Sequence, residues 1–154
     1  MKTILVPVDF SDVTPLVADT ARRFALAFGS RVVLLHVAGY LDDRVKIGYS
    51  LMPVCDLPPQ DLKEEQGQLL KLKEHLAAGG TFPVDVELLQ DGEPADCILA
   101  KSASLQADLI IMGSHGHGAL YNLLTGSVTS AVLKSARCPV LVVPSPPAVK
   151  RAAA

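Results

Sequence analysis

Leu109-Ile110-Ile111-Met112 is apolar without interruption and stops at Gly113. A run this short, apolar toward both sides, suits a strand buried between two layers. The chain continues through Gly113-Ser114-His115-Gly116, and Gly126-Ser127 then opens a helical pattern at Val128, Ala131, Val132 and Ala136. A buried strand thus delivers the backbone to a glycine-punctuated loop, and the loop delivers it to a helix N-terminus. Free N–H groups and the positive end of a helix dipole meet at such a place, which makes it an anion site. Glycine lets the main chain come close to a phosphate that a Cβ would hold off. The arrangement points to a phosphate site, and among phosphates to a nucleotide.

The same sort of run recurs along the chain. Thr3 to Val8 and Arg31 to Val37 are largely apolar, Pro83 to Leu89 alternates, and Pro139 to Val143 is apolar on both faces. Between the first two lies a helix for which Asp12 or Thr14 is an available cap and Pro15 an early residue. Leu16, Val17, Ala21, Phe24, Ala25 and Phe28 mark its inner face, and Gly29 ends it. A charged helix over 61–78 turns Leu62, Leu69, Leu72 and Leu76 inward and closes at Gly79-Gly80, its Lys/Glu run being a solvated face. Gly92-Glu93-Pro94 opens another helix, with Ile98, Leu99, Ser102 and Ala103 inward.

Strands alternating with helices of crossover length predict an α/β fold with a parallel sheet. The continuously apolar strands belong at the centre, and the alternating third belongs at an edge with one wet face. The doubly wound order 3-2-1-4-5 follows, Rossmann-like, with its switch point between the first and fourth strands. Ligands bind such sheets at the carboxyl ends of the strands at that point. Pro7-Val8-Asp9 ends the first strand and Gly113 the fourth, so two separate arguments meet in one crevice. The fifth strand, apolar on both faces yet at an edge, invites pairing with a second chain. A homodimer through Pro139–Val143 is the expectation.

The chain has 154 residues, the size of one domain with a substantial core. Its hydrophobic fraction of 49% suits a largely buried parallel sheet. A formal net charge of −2 gives no electrostatic reason to expect nucleic acid. No apolar run approaches the roughly 20 residues that cross a bilayer, and the first apolar stretch reads as no signal peptide. Cys55, Cys97 and Cys138 are odd in number and widely spaced, which speaks against a disulfide framework and for a reducing cytoplasm. Each is read as a small apolar residue.

Residues 39–60 show no sustained period and carry Gly39, Gly48, Pro53, Pro58 and Pro59. A loop of this length is a lid over the ligand or a mobile insertion. Residues 145–154, rich in Pro and Ala, are expected to form a flexible tail after a single domain over 1–144.

Other phosphate motifs fail on their residues. A P-loop needs a Gly-Lys pair, and there is none. Gly116-His117-Gly118 lacks the third glycine of a dinucleotide fingerprint and follows the wrong strand. Ser114 and Ser127 each directly follow a glycine, so no nucleophile elbow exists at either. An α/β nucleotidyltransferase would want His-x-Gly-His after the first strand, where Asp9-Phe10-Ser11-Asp12 stands.

The spacing Gly113, two residues, Gly116, nine residues, Gly126-Ser127 resembles the nucleotide-binding branch of the universal stress protein family. The resemblance covers nearly the whole chain, through Val6-Pro7-Val8-Asp9-Phe10-Ser11, Leu34-Leu35-His36-Val37, Ala107 to Gly116, and Ser135 to Pro144. It implies a fold like that of the adenine nucleotide alpha hydrolases and an ATP site. In that site Pro7, Val8 and Asp9 would hold the adenosine, with the carboxylate accepting from ribose hydroxyls or the base amine, and Val37 would pack on adenine. Met112, Gly113 and Gly116 would line the ribose and α-phosphate region, with Ser114 and His115 among the binding residues. Gly126, Ser127, Val128 and Thr129 would present N–H and hydroxyl donors to the phosphates, and Mg²⁺ or Mn²⁺ would balance their charge. One departure stands out: the loop has no Lys or Arg, and Lys134 is the nearest basic residue after it.

Blander roles stand beside these. Asp9 could be only a strand-end turn former, and the glycines could serve tight turns alone. His115 and His117 lack the partners of a zinc site and read as exposed loop residues. His36 reads as a hydrogen-bonded core residue and His75 as a solvated one.

Binding does not entail catalysis, since phosphoryl transfer wants a cation and a group that orients the nucleophile. The favoured reading is an ATP-binding regulatory or sensor module of the stress response, with no catalytic residue assigned. The alternative is an ATP-using enzyme: a slow ATPase, autophosphorylation at Ser127 or Thr129, or a phosphotransferase acting on a small molecule or nucleotide. Such a phosphotransferase would draw on Asp42, Asp43, Arg44 and Lys46 from the long loop.

Overall fold

The computed structural model describes residues 1–38, 59–78, 80–90, 92–114 and 126–145. Its elements run β1 (Thr3–Pro7), α1 (Thr14–Phe28), β2 (Arg31–Val37), α2 (Pro59–Ala77), β3 (Val84–Leu89), α3 (Pro94–Ser104), β4 (Leu109–Gly113), α4 (Ser127–Ser135) and β5 (Val140–Val143). The strands form one parallel sheet in the order β3-β2-β1-β4-β5. That is the expected doubly wound order, and Pro7, which has no N–H to give the ladder, closes β1.

Alternation along the strands splits the core in two. One face carries Ile4, Val6, Val32, Leu34, Leu109 and Ile111 against Val17, Ala18, Ala21 and Ala25 of α1 and Leu69 and Leu76 of α2. The other carries Leu5, Val33, Leu35, Ile110 and Met112 against Ala95 and Ile98 of α3 and Val132 of α4. Helices on both faces are why the inner strands read as unbroken apolar runs.

Several local expectations need correction. Neither Asp12 nor Thr14 caps α1: its N-cap is Val13 without a side-chain bond, and the Ser11 carbonyl accepts the Thr14 N–H at 2.9 Å. Leu16 and Phe28 do not face inward; they are 42% and 57% exposed. Small residues, Ala18, Ala21 and Ala25, bring α1 close to the sheet and leave the larger side chains at its margins. In α3 the inward row is Ala95, Ile98 and Ser102, with Leu99 half-buried, while Ala103, about 100° further round, is exposed. α2 begins at Pro59, so the unpatterned stretch is shorter at its end than 39–60. Residues 39–58 and 146–154 lie outside the described residues, and the loop and tail expectations with them.

Gly29 ends α1 in the left-handed region at φ 60°, where glycine alone carries no Cβ penalty. The outer face of β3 is ion-paired: Arg31 meets Asp85 at 2.6 Å, and Lys101 of α3 meets Glu87. No helix among the described residues is long and apolar enough to cross a membrane.

Candidate functional site

Three strands end level with one another on the carboxyl side of the sheet. β1 and β2 pair Pro7 with Leu35, and the Val8 N–H continues that ladder to the Leu35 carbonyl at 2.9 Å. β1 and β4 pair Ile4 with Leu109 and Leu5 with Ile110. Val37 ends β2 half-buried, paired with Leu89 of β3. Pro7, Val8, Asp9, Val37, Met112 and Gly113 therefore all lie at the carboxyl side of the sheet, because its strands are parallel.

The turn after β1 is organised by Asp9. Its Oδ1 accepts from the Ser11 N–H at 3.0 Å and the Ser11 hydroxyl at 2.6 Å, an Asx turn that the Asp-x-Ser spacing announces. The carboxylate stays exposed. Between them Phe10 takes φ 57°, a conformation costing about 1–2 kcal/mol for a residue with a Cβ. Its ring lies 4.5 Å from the His36 imidazole. Strain at such a position persists only where the surroundings hold it, and here Asp9, Ser11 and His36 hold it. Sequence reasoning assigned Phe10 no role and read His36 only as a core residue; the φ of Phe10 leaves no signal in residue order.

The second half of the site is stapled by backbone. The Ser114 N–H donates to the Val143 carbonyl at 2.9 Å, and the Ser114 carbonyl accepts the Gly126 N–H at 2.7 Å. The buried Ser114 hydroxyl accepts the Ser145 N–H at 3.1 Å. These bonds bring the start of α4 against the end of β4. Thr129, expected to turn its hydroxyl toward phosphate, is buried and donates to the Gly113 carbonyl at 2.8 Å. Its hydroxyl acts as a clamp between strand and helix, and its N–H is what it can offer outward. Gly126 is the N-cap in extended conformation, φ −66° and ψ 166°, and no side chain caps α4. The N–H groups of Ser127, Val128 and Thr129 therefore stand in the first turn without a helical acceptor. His115 and Gly116 lie outside the described residues, as do His117, Asp42, Asp43, Arg44, Lys46 and Cys55.

These donors, among the described residues, are neutral and are biased by the helix dipole. Among the described residues no group of His, Cys, Asp and Glu could hold a metal ion. Of the two described cysteines, Cys97 has its thiol pushed up by burial first and then by the Asp96 and Glu93 carboxylates. It is thus a poorer nucleophile than an ordinary thiol. His75 is exposed, 3.6 Å from Asp19.

The comparisons agree with this geometry at the level of family and fold. The model of the universal stress protein family matches residues 1–144. Universal stress protein MJ0531 of Methanocaldococcus jannaschii is 35% identical over 145 residues, covering 94% of this chain and 83% of that relative. Among solved structures, that of MJ0577, from the same organism, superposes with a TM-score of 0.79 at 31% identity, over 96% of this chain and 98% of that one. A universal stress protein from Archaeoglobus fulgidus, solved in complex with dAMP, has the same fold at a TM-score of 0.68 and 23% identity, over 92% and 97% of the two chains.

Proposed function

The chain belongs to the universal stress protein family, and from that premise we propose that it is an ATP-binding regulatory module. One observation carries the reading: the uncapped first turn of α4 is held against the carboxyl end of β4, at the side of the sheet where anions and nucleotides bind such folds. Adenosine lies over Val8, Asp9 and Val37, with the exposed Asp9 carboxylate accepting from ribose or base. Met112, Gly113, Ser114, His115 and Gly116 follow the ribose and first phosphate. The N–H groups of Ser127, Val128 and Thr129, with Gly126 beside them, bind the remaining phosphates. Mg²⁺ or Mn²⁺ arrives with the nucleotide and neutralises charge that these uncharged donors leave. The dAMP bound by the A. fulgidus relative supports the choice of an adenine nucleotide.

The module acts as a cytoplasmic homodimer joined through β5, whose Val140, Leu141 and Val142 are half-buried in the single chain. Nucleotide state changes the loop or the dimer, with at most slow hydrolysis. Mass spectrometry of nucleotide released from purified protein, followed by calorimetric titration with ATP and Mg²⁺, tests this reading. Co-purified adenine nucleotide or saturable binding is the expected result. No nucleotide carried and none bound would end it, and many turnovers per site at a useful rate would favour an ATP-using enzyme.

A further inference from the structure

Beneath Asp9 the fold buries two polar atoms that face each other unsatisfied. His36 is 8% exposed, and its Nδ1 lies 2.8 Å from the Val8 carbonyl oxygen. A carbonyl can only accept, so Nδ1 carries the proton of that bond. In a neutral imidazole the other nitrogen, Nε2, is then an acceptor. It faces Glu65 Oε2 of α2 at 3.5 Å, and both atoms are buried without a hydrogen-bond partner among the described residues. Two acceptors opposed in a dry interior repel, whereas one proton between them makes the contact attractive. That proton belongs to the pair, as imidazolium with carboxylate or imidazole with carboxylic acid.

We propose that His36 and Glu65 share one buried proton, and that it holds the Val8–Ser11 turn in shape, making His36 a positioning residue for Asp9. The imidazole grips the turn on both sides of Asp9, through the Val8 carbonyl before it and the Phe10 ring after it. Arg22 of α1, half-buried, directs its guanidinium to the Ala78 carbonyl. The flanking strands offer this face apolar residues such as Val6 and Val86, and the buried residues of α1 include no titratable group. Asp19 of α1 faces His75, Asp9 bonds Ser11, and Asp12 is exposed. Without the shared proton, two lone pairs would oppose each other. Glu65, whose side chain is 28% exposed, can then swing to water, and the imidazole becomes free to move its remaining proton away from Val8. The effect on ligand binding rests on the nucleotide reading above; the shared proton does not.

NMR of the full ligand-free chain, from about pH 5.5 to 9, reads the His36 ring nitrogens and the Ser11 amide in one titration. The expected result is a protonated Nδ1, an Nε2 in the protonated or hydrogen-bonded range at neutral pH, and a Ser11 amide that shifts with the same midpoint. In Glu65→Gln the amide donates to Nε2 permanently, and the Ser11 shift should no longer follow pH in this range. An Nε2 with the resonance of a bare nitrogen throughout, or a Ser11 titration unchanged in Glu65→Gln, would overturn the proposal. If the variant fails to fold, the wild-type titration alone decides. ATP affinity should fall by roughly tenfold across the same midpoint in the wild type and stay level in Glu65→Gln. Absence of ATP binding in both proteins would count against the nucleotide reading, while the NMR titration would still decide the shared proton.

Discussion

At the amino-terminal end of the sheet, Asp108 Oδ2 accepts the Lys2 and Thr3 N–H groups at 2.7 and 2.9 Å. The Arg31 N–H meets the Lys2 carbonyl, the Asp108 N–H meets the Thr3 carbonyl, and the Ser30 hydroxyl donates to the Met1 carbonyl. At the carboxyl-terminal end, the first turn of α4 has no side-chain cap, Phe10 is held at positive φ, and the buried His36 Nε2 faces Glu65 Oε2 at 3.5 Å. One end is closed by its own residues, and the other keeps donors and strain in reserve. Unsatisfied groups and strained backbone are costly, and under the proposed function those at the carboxyl end serve a ligand.

The contrast can be broken most sharply at Gly126. Its backbone angles are open to any residue, so Gly126→Val should leave the fold intact, at a cost of about 1 kcal/mol for the poorer N-cap. A branched side chain beside the phosphate donors should nevertheless lower ATP affinity by roughly a hundredfold, about 3 kcal/mol. Unchanged affinity by calorimetry would make the carboxyl end as self-contained as the other. Asp9→Ala should act on both properties. Losing the two bonds to Ser11 costs about 1–2 kcal/mol in denaturant unfolding, and ATP affinity should fall by about tenfold or more.

The two non-glycine residues at positive φ sharpen the comparison. Gln106, at φ 48°, lies in the connection from α3 to β4, at the closed end. Gln106→Gly should raise stability by about 0.5–1 kcal/mol, measured by urea unfolding, because only backbone strain is relieved. Phe10→Gly relieves similar strain but removes the ring from His36, so no gain in stability should appear and ATP affinity should drop. Equal behaviour of the two variants would remove the argument from strain.

Asp108 supplies the smallest effect and a pH signature. The Thr3 N–H bond, and then that of Lys2, hold its carboxyl below the ordinary carboxylate range. A carboxyl lowered in the folded state contributes stability above its unfolded value and loses it as pH falls through the folded one. Wild type should therefore exceed Asp108→Asn in melting temperature at neutral pH, and the gap should close on acidification. A gap that widens toward acid would reverse the assignment.

Residue order alone carried the sheet order, because strand burial is written in apolar continuity and the parallel crossover has one hand. Leu109 to Met112 announced a central strand, and the alternation of Val84 to Leu88 announced an edge. Periodicity could not separate Ala18 from Leu16 as the inward residue of α1, since helix orientation depends on how closely small side chains let it approach the sheet.

The sequence by itself determined the fold class, the strand that feeds the glycine loop, and Asp9 at the neighbouring strand end. Each of these follows from short-range pattern and chain direction. Only the tertiary structure decided that the Thr129 hydroxyl faces Gly113, that Phe10 is strained beneath Asp9, and that Glu65 meets His36 across 29 residues of chain. Those contacts depend on residues remote in sequence, and their geometry comes from packing helices on both faces of a sheet, which no local pattern encodes.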